Sequence, residues 1–346
     1  MIKYCLMGAH QHRTPLSYNA FRRYFPAGLV PVERAENPDV LVFGYVQDFF
    51  ESFEQIQEAR AHNPDVKLVV ISEEPFWDTL WSGDYTQRYA SRAVNGEMIP
   101  YFAINHVNSD VFAYHNLPYL VTTADSFFAR YAMMFARNST RTERDFRRVW
   151  EGAAVQQAFY AEKRLADKFA YSHPENDVQG LCQFRSRLAA LMLDAEPAST
   201  KVVGKGWHSG GPRQKLPDWH LDKLAALDGK SRIISALENT QQPLYTTEKL
   251  FDAFACQGIP LYWASTSHRI HEWIPEGAYI NLQGLTAEEA VQAIQGFTPD
   301  QAFLDQYRAA QSELARRFGN ADILEAERKR LAEAAFRALS EVMESE

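Results

Sequence analysis

The sequence has no excess of basic residues. Its 346 residues include 36 Lys and Arg against 44 Asp and Glu, which gives a formal net charge of −8. Proteins that bind nucleic acid generally carry a basic patch and a basic excess. The charge balance therefore argues against a general nucleic-acid binder, although a local basic pocket for a small anionic ligand is compatible with it.

Long hydrophobic runs and paired cysteines are also missing. Hydrophobic residues make up 46% of the chain, but no run approaches the roughly 20 apolar residues that a membrane-spanning helix needs. The first residues predict a strand and lack the apolar core of a signal peptide. Cys5, Cys182 and Cys256 lie in apolar surroundings, which favours buried free thiols in a reducing compartment. We therefore expect a cytoplasmic protein with at most peripheral membrane contact.

Several motifs that would identify a cofactor or metal are absent. The chain has no Walker A motif, no His-Glu-x-x-His, no paired cysteine ligands, no Gly-x-Ser-x-Gly and no Asp-x-Asp. Residues 204–211 resemble a dinucleotide-binding fingerprint, but the third glycine comes one residue late, and Trp207 and His208 stand where the helix should begin. No motif requires a metal or cofactor. Stimulation by a divalent cation stays open.

Short apolar runs alternate with helical patterns along the chain, which predicts an α/β fold with parallel sheets. Strands are predicted at 4–8, 39–45, 67–72, 101–105, 118–122, 168–172, 201–204, 232–237, 259–263 and 278–282, and helices at 49–63, 178–193, 220–227 and from Thr247 onward. The composition shifts between about 139 and 168. We place a domain boundary near 155, giving domains 1–155 and 156–300, followed by helices over 301–346 that pack back on the body.

The helix after Thr247 contains a residue that its position does not favour. Thr246 or Thr247 can cap this helix and Gly258 can end it. Lys249 lies in the first turn, where a cation opposes the helix dipole by roughly 0.3–1 kcal/mol when it is exposed. An anion at the helix start would remove this conflict. The sequence therefore predicts an anion site here, with phosphate as the first candidate.

The segments around this helix resemble a known family. Leu237-Glu238-Asn239-Thr240 ends an apolar strand, Tyr245-Thr246-Thr247-Glu248-Lys249 follows, and the strand Ile259-Pro260-Leu261-Tyr262-Trp263 comes next. This order resembles the α1,3/4-fucosyltransferases of glycosyltransferase family 10, and the resemblance covers roughly residues 165–285. In the first half only Ser72-Glu73-Glu74-Pro75 and a segment near 104–112 are similar to the family.

The resemblance implies a GT-B-type fold with two Rossmann-like domains, a cleft between them and a C-terminal helix packing back. A bacterial-type member is implied, one that moves L-fucose from GDP-fucose to a hydroxyl of an acceptor glycan, with inversion and an α1,3 linkage. Lipopolysaccharide O-antigen is one candidate acceptor. Three alternatives stay open: a different nucleotide-sugar donor, a catalytically silent glycan-binding relative, and a nicotinamide-dependent sugar-modifying enzyme.

The resemblance also implies roles for individual residues. Glu74 corresponds to the general base, and Glu73 competes because a shift of one residue in the alignment would exchange them. Lys249 and Arg185 are the candidates for holding the diphosphate, with Arg187 as the fallback.

The remaining donor-binding candidates follow the same strand and helix start: Glu238, Asn239, Tyr245, Thr247 and Glu248. For each of them an ordinary role in a turn, a cap or packing is the alternative. Gly210 and Gly211 would let the backbone approach the donor or form a plain turn. Trp77, Trp81 and Tyr114 are candidates for stacking on acceptor rings or for the core.

Overall fold

The computed structural model describes residues 1–207 and 215–345. The chain forms two compact units, of which unit 1 is Met1–Asp125 with Asp322–Glu346 and unit 2 is Ser126–Ala321. The sequence prediction placed the boundary near 155. In the structure, residues 126–155 belong to unit 2 because their helices bond to it. Trp150 Nε1 donates to the Gln257 carbonyl at 2.7 Å, and Asn138 Nδ2 donates to the Phe254 carbonyl at 3.0 Å.

Unit 1 contains a mostly parallel sheet. Its strands are β1 (Ile2–Met7), β2 (Leu29–Pro31), β3 (Val40–Phe43), β4 (Lys67–Ile71), β5 (Tyr89–Val94) and β6 (Glu97–Ile104). They are arranged in the order β2-β1-β3-β4-β6-β5, and only the β5–β6 hairpin is antiparallel. The parallel strands β1, β3, β4 and β6 all end at one edge of the sheet. Ligands of open parallel sheets usually bind at that edge.

Unit 2 contains a second parallel sheet and a small antiparallel one. The strands are β7 (Val155–Tyr160), β8 (Ser172–His173), β9 (Val178–Gly180), β10 (Thr200–Val203), β11 (Ser231–Ser235), β12 (Thr240–Gln241), β13 (Ile259–Tyr262) and β14 (Ile280–Asn281). The parallel sheet has the order β10-β7-β11-β13-β14, and the small sheet has the order β12-β9-β8.

The helices flank these sheets. In chain order they are α1 (Asn19–Arg22), α2 (Asp48–Glu51), α3 (Phe53–His62), α4 (Pro75–Trp77), α5 (Tyr119–Thr122), α6 (Asp125–Ser139), α7 (Glu143–Glu151), α8 (Cys182–Ala195), α9 (Trp219–Leu227), α10 (Glu248–Ala255), α11 (Ala287–Gly296), α12 (Gln301–Phe318) and α13 (Ala321–Glu344). A single π-helical turn, Asp78–Ser82, follows α4 directly.

Both faces of the unit 1 sheet are covered, because alternate strand residues point to opposite sides. On one side Leu41 and Val70 pack with Ile56 of α3, and all three are buried. On the other side Val42 packs in a cluster with Leu339 of α13. The last helix therefore returns to the first unit, as predicted.

Three predicted elements differ in the structure, and one inner strand was not predicted. Residues 118–122 form the helix α5 and not a strand, with Pro118 as its N-cap. The predicted strand 168–172 is mainly a short helical turn, Asp167–Phe169. The helix predicted from 178 starts at Cys182, because residues 178–180 pair with β12. The inner strand β7 was missed, since Gln156 and Gln157 interrupt its apolar pattern.

The predicted fold class is confirmed: two α/β units, each with a parallel sheet, and a C-terminal helix that packs back. The three cysteines are free and buried, also as predicted. None of the helices within 1–207 and 215–345 is both long and apolar enough to cross a membrane.

Candidate active site

The start of α10 has the predicted cap. Thr247 is the N-cap residue, and its hydroxyl accepts a bond from the Lys249 backbone N–H. The helix ends with Gln257 in the left-handed conformation, at φ 61°. Gly258 follows, and its N–H bonds to the Ala253 carbonyl at 3.0 Å. A Cβ on Gly258 would lie 2.4 Å from Ile234 Cδ1, so the glycine is required by close packing against β11 and not by the left-handed turn.

Glu238 supplies an anion at this helix start. Its carboxylate accepts from the Thr247 N–H at 2.7 Å and from the Thr247 hydroxyl at 2.8 Å. Lys249 Nζ donates to the same carboxylate at 2.9 Å and lies 3.6 Å from a carboxylate oxygen of Glu248. The conflict between Lys249 and the helix dipole is thus resolved within the protein. Glu238, Thr247, Glu248 and Lys249, four of the predicted site residues, lie together.

Arg185 is a buried cation with no carboxylate beside it among the residues that the structure describes. The residue is 5% exposed, and Nη1 makes one long bond of 3.4 Å to the Leu237 carbonyl. Within the described ranges Nε has no hydrogen-bond partner, and no carboxylate lies within ion-pair distance of the guanidinium. A buried charge of this kind is costly unless it is paired. Arg185 therefore has the strongest unmet need for an anion at this site.

The charges of this group influence one another. Burial lowers the pKa of Arg185, while the carboxylate of Glu238 acts in the opposite direction. Burial also opposes the charge of Lys249, but Glu238 and Glu248 outweigh it and raise the pKa of Lys249. The pKa of Glu248 is lowered although its burial acts to raise it, because Lys249 and Lys223 stabilise the carboxylate.

The other predicted donor residues lie nearby in the chain, with different surroundings. Tyr245 is buried at 7% exposure, and its backbone N–H bonds to the Gln242 carbonyl at 2.9 Å. Asn239 accepts from the Leu181 N–H through its carbonyl at 2.8 Å, which joins it to the start of α8. Arg187 instead forms an exposed ion pair with Glu288, away from this cluster. Gly210 and Gly211 lie outside the described residues.

Sequence reasoning missed a buried network one turn further along α10. Asp252 is fully buried, and the Tyr131 hydroxyl donates to it at 2.6 Å. His220 Nε2 lies 2.7 Å from Oδ1 of Asp252, and Lys223 Nζ lies 2.8 Å from Oδ2. Burial acts to raise the pKa of Asp252, but Lys223 and His220 lower it to about 2. The sequence signal for this network was Asp252, an aspartate within the apolar face of the predicted helix.

The network also holds the first turn of α10 directly. The Tyr131 hydroxyl lies 3.2 Å from the Glu248 carbonyl oxygen. Lys223, which pairs with Asp252, is also one of the charges that lower the pKa of Glu248. Tyr131 on α6 and Lys223 on α9 therefore hold the first turn of α10, which contains Glu248 and Lys249, in its position.

In unit 1 the two candidate bases have distinct environments. Glu73 is 2% exposed and accepts from the Tyr119 hydroxyl at 2.6 Å and the Tyr18 hydroxyl at 3.0 Å, with Arg13 Nε at 2.9 Å. Glu74 follows at the N-cap of α4, its side chain is 15% exposed, and it bonds to Arg13 Nη2. Glu73 is enclosed by protein donors. Glu74 keeps access to solvent.

The three aromatic candidates for stacking on acceptor rings also lie in different environments. Tyr114 is fully buried, so it belongs to the core. Trp77 and Trp81 are half-buried and stack on each other, with ring centroids 4.7 Å apart and an interplanar angle of 18°. Tyr45 contacts Trp81 edge-on at 5.2 Å. The two tryptophans follow Glu74 on α4 and the π-helical turn.

A metal site is not apparent in the part of the chain that the structure describes. Across 1–207 and 215–345, no group of three or more His, Cys, Asp or Glu side chains is arranged to hold a metal ion.

Comparisons with known proteins identify part of the chain. Residues 209–321 match the model described as glycosyltransferase family 10 (fucosyltransferase), C-terminal. This segment contains Glu238, Tyr245, Thr247, Glu248 and Lys249. No curated protein sequence matches the chain.

Solved structures give weaker likenesses. A crystal structure of an α1,3-fucosyltransferase with GDP-fucose aligns at a TM-score of 0.44 and 14% identity, covering 96% of this chain and 90% of that one. A structure of an α1,3-fucosyltransferase with GDP gives 0.44 and 12%, with the same coverages of 96% and 90%. Since these TM-scores lie below 0.5, the family assignment rests on the match over 209–321. Residues 209–321, about a third of the chain, are thus similar to the C-terminal domain of glycosyltransferase family 10, the fucosyltransferases, and this match confirms the prediction of a glycosyltransferase.

Proposed function

We propose that this protein transfers L-fucose from GDP-fucose to a hydroxyl of an acceptor glycan, with inversion at the transferred carbon and an α1,3 linkage. The observation that carries the proposal is the family match over 209–321, the segment that contains Glu238, Lys249 and the buried start of α10. A cytoplasmic enzyme acting on a surface glycan such as lipopolysaccharide O-antigen remains the proposed setting, without a required metal.

The chemistry asks for two kinds of assistance. As the acceptor oxygen bonds to the fucose carbon, the bond from that carbon to the diphosphate breaks, and the acceptor proton must leave. A carboxylate base takes the proton, and cations stabilise the charge that builds on the departing GDP.

Arg185 is the residue we propose first for the diphosphate. It is buried and has no carboxylate partner among the described residues, and a guanidinium can bind two phosphate oxygens at once. Lys249 is the second cation. Two of its donors already face Glu238 and Thr247, so its contribution is shared between holding the helix start and binding the donor.

Glu74 is the proposed base. Its partial exposure lets an acceptor hydroxyl approach, whereas the protein hydroxyls of Tyr18 and Tyr119 already occupy Glu73. Burial, followed by the charge of Glu73, raises the pKa of Tyr119, so this phenol stays protonated and keeps donating. Glu73 is therefore proposed to hold Arg13 and the loop in place.

The test is calorimetry with GDP-fucose, GDP-mannose, UDP-galactose and NAD, followed by NMR of the product linkage. We expect GDP-fucose to bind more tightly than the other three compounds and the product to have inverted configuration. Tight NAD binding without GDP binding would overturn the proposal. Equal binding and transfer with GDP-mannose would instead indicate the alternative of another donor. Donor binding without transfer to any glycan would indicate a silent relative.

A further inference from the structure

Unit 1 contains a pocket beside Trp81, one member of the stacked tryptophan pair. It is an open pocket of about 310 Å³, lined by Gln47, Phe50, Glu51, Trp81 and Arg92. This volume is at the lower end of the roughly 300–1,000 Å³ typical of small-ligand sites. We call these five residues the Trp81 pocket.

The composition of the Trp81 pocket favours a sugar. Phe50 is 43% exposed, and the Arg92 guanidinium lies 5.8 Å from its ring centroid. A pyranose has a face of C–H groups that packs on aromatic rings, and a rim of hydroxyls that both donate and accept. Gln47, Glu51 and Arg92 offer the matching acceptors and donors.

The charge of the pocket favours a neutral ligand over a phosphate. Glu51 and Arg92 are its two charged residues, and their signs cancel. A phosphate or nucleotide site generally combines several cations or free backbone N–H groups without an opposing carboxylate. An acidic glycan would meet Glu51 at close range.

One short stretch of chain connects the proposed base, Glu74, to the pocket residue Trp81. Glu74 caps α4, Trp77 ends that helix, and Trp81 lies on the π-helical turn that follows. Trp81 stacks on Trp77 and also lines the pocket. Single π-helical turns occur frequently at functional sites. Trp81 is only seven positions after Glu74 in the sequence.

We propose that the Trp81 pocket binds a neutral sugar unit of the acceptor glycan, at a distance from the unit whose hydroxyl is attacked. The site extends the acceptor contact beyond Glu74 and selects for glycans longer than the reacting sugar alone. The assignment to an acceptor rests on the proposed function, but the binding of a neutral sugar does not.

The experiment uses the full chain on an immobilised panel of neutral and acidic oligosaccharides, from monosaccharides to hexasaccharides. The strongest neutral binder is then titrated by calorimetry against the wild type, Phe50→Ala and Arg92→Ala. We expect each variant to weaken glycan binding about tenfold or more, a change that calorimetry resolves easily. GDP affinity should be unchanged, because the predicted donor residues belong to unit 2.

Tyr89→Ala is the matched control. Tyr89 is an exposed aromatic residue, 59% accessible, on the same strand as Arg92 but an odd number of residues away, so it points to the opposite face. Its loss should leave glycan affinity as in the wild type. No neutral glycan binding at millimolar concentration would overturn the proposal, as would equal affinities for wild type, Phe50→Ala and Arg92→Ala.

The result is separable from the proposed function. A chain that transfers fucose while Phe50→Ala and Arg92→Ala keep wild-type KM values for every glycan length would refute the pocket and leave the transferase intact. A chain that does not bind GDP-fucose, yet binds glycans in a Phe50- and Arg92-dependent way, would refute the transferase and leave the pocket intact.

Discussion

Adjacent glutamates in this protein have different surroundings. Glu73 is the centre of a buried group with Tyr18, Tyr119 and Arg13, while Glu74 is partly exposed at a helix cap. The sequence could only name the pair, because a shift of one residue in the alignment exchanges them. The structure distinguishes the two glutamates by their side-chain burial, which depends on where α4 begins.

Glu74→Gln should abolish transfer and preserve folding, because the amide cannot take a proton and the side chain keeps its size. GDP affinity should remain that of the wild type. Glu73→Gln should instead lower the melting temperature, since it removes the charge that pairs with Arg13 in a buried group. The measurements are single-turnover transfer and thermal unfolding. Transfer by Glu74→Gln at the wild-type rate would assign the base elsewhere.

Arg185→Leu should weaken GDP binding about tenfold or more, a loss of about 1.4 kcal/mol for each factor of ten. The folded chain should be at least as stable as the wild type, because a buried cation without a carboxylate partner has been removed. Arg187→Leu is the control on the same helix, since Arg187 pairs with Glu288 at the surface. Calorimetry with GDP gives both results, and an affinity within twofold of wild type for Arg185→Leu would contradict the phosphate role.

At the scale of elements, the helix α10 shows how far the sequence could lead. Its cap, its apolar face and the anomaly at Lys249 were all predictable from spacing. The anion that resolves the anomaly was not, because Glu238 comes from the preceding strand end and its direction depends on the loop between them. The strand β7 was missed for a similar reason, since one of its two glutamines, Gln157, bonds to Glu196, a residue distant in the sequence.

Thr247→Ala should destabilise the protein by about 1–2 kcal/mol, the usual cost of losing an N-cap. GDP binding should weaken as well, because the hydroxyl also holds Glu238 and Lys249. Thr247→Ser keeps the hydroxyl and should restore most of both properties. Urea unfolding and GDP calorimetry on the three proteins test this, and an alanine variant that behaves like the serine variant would exclude the cap.

The Asp252 network should give α10 a pH-dependent stability. The folded-state pKa of Asp252 is lowered to about 2 from its usual 3.8, so its stabilisation is complete above about pH 4 and disappears as the pH falls toward 2. The shift corresponds to about 2 kcal/mol. We expect the stability difference between wild type and Asp252→Asn to be constant from pH 7 to about pH 5 and to shrink below about pH 4. A difference that does not change with pH would show that Asp252 does not titrate in this range.

At the scale of the whole molecule, the sequence led to two α/β units and a returning helix, because the β-α alternation repeats along the chain. The position of the boundary between the two units was harder to predict from the sequence. The composition shift over about 139–168 placed the boundary near 155, but Asn138 of α6 and Trp150 of α7 attach these helices to unit 2. Local sequence patterns rarely show which unit a helix will pack against.

Leu339→Ala should destabilise unit 1 by about 2–5 kcal/mol, as expected for a fully buried leucine. Unit 2 should keep its GDP affinity, because α13 belongs to the other unit. Glu341→Ala, on the exposed side of the same helix and paired only with Arg88 at the surface, is the control and should change stability by less than about 1 kcal/mol. Differential scanning calorimetry with and without GDP separates the two units, and an equal loss in both would contradict the division.

Unit 1 is assembled from the first and the last residues of the chain, whereas unit 2 is one continuous segment. During synthesis the ribosome releases residues 1–125 long before α13, so the face of the first sheet that packs on α13 lacks that helix while unit 2 emerges. Newly made chains therefore pass through a stage in which Val42, Val69 and their neighbours are open to chaperones and to aggregation. The arrival of α13, and not the folding of residues 1–125, is what closes the first unit.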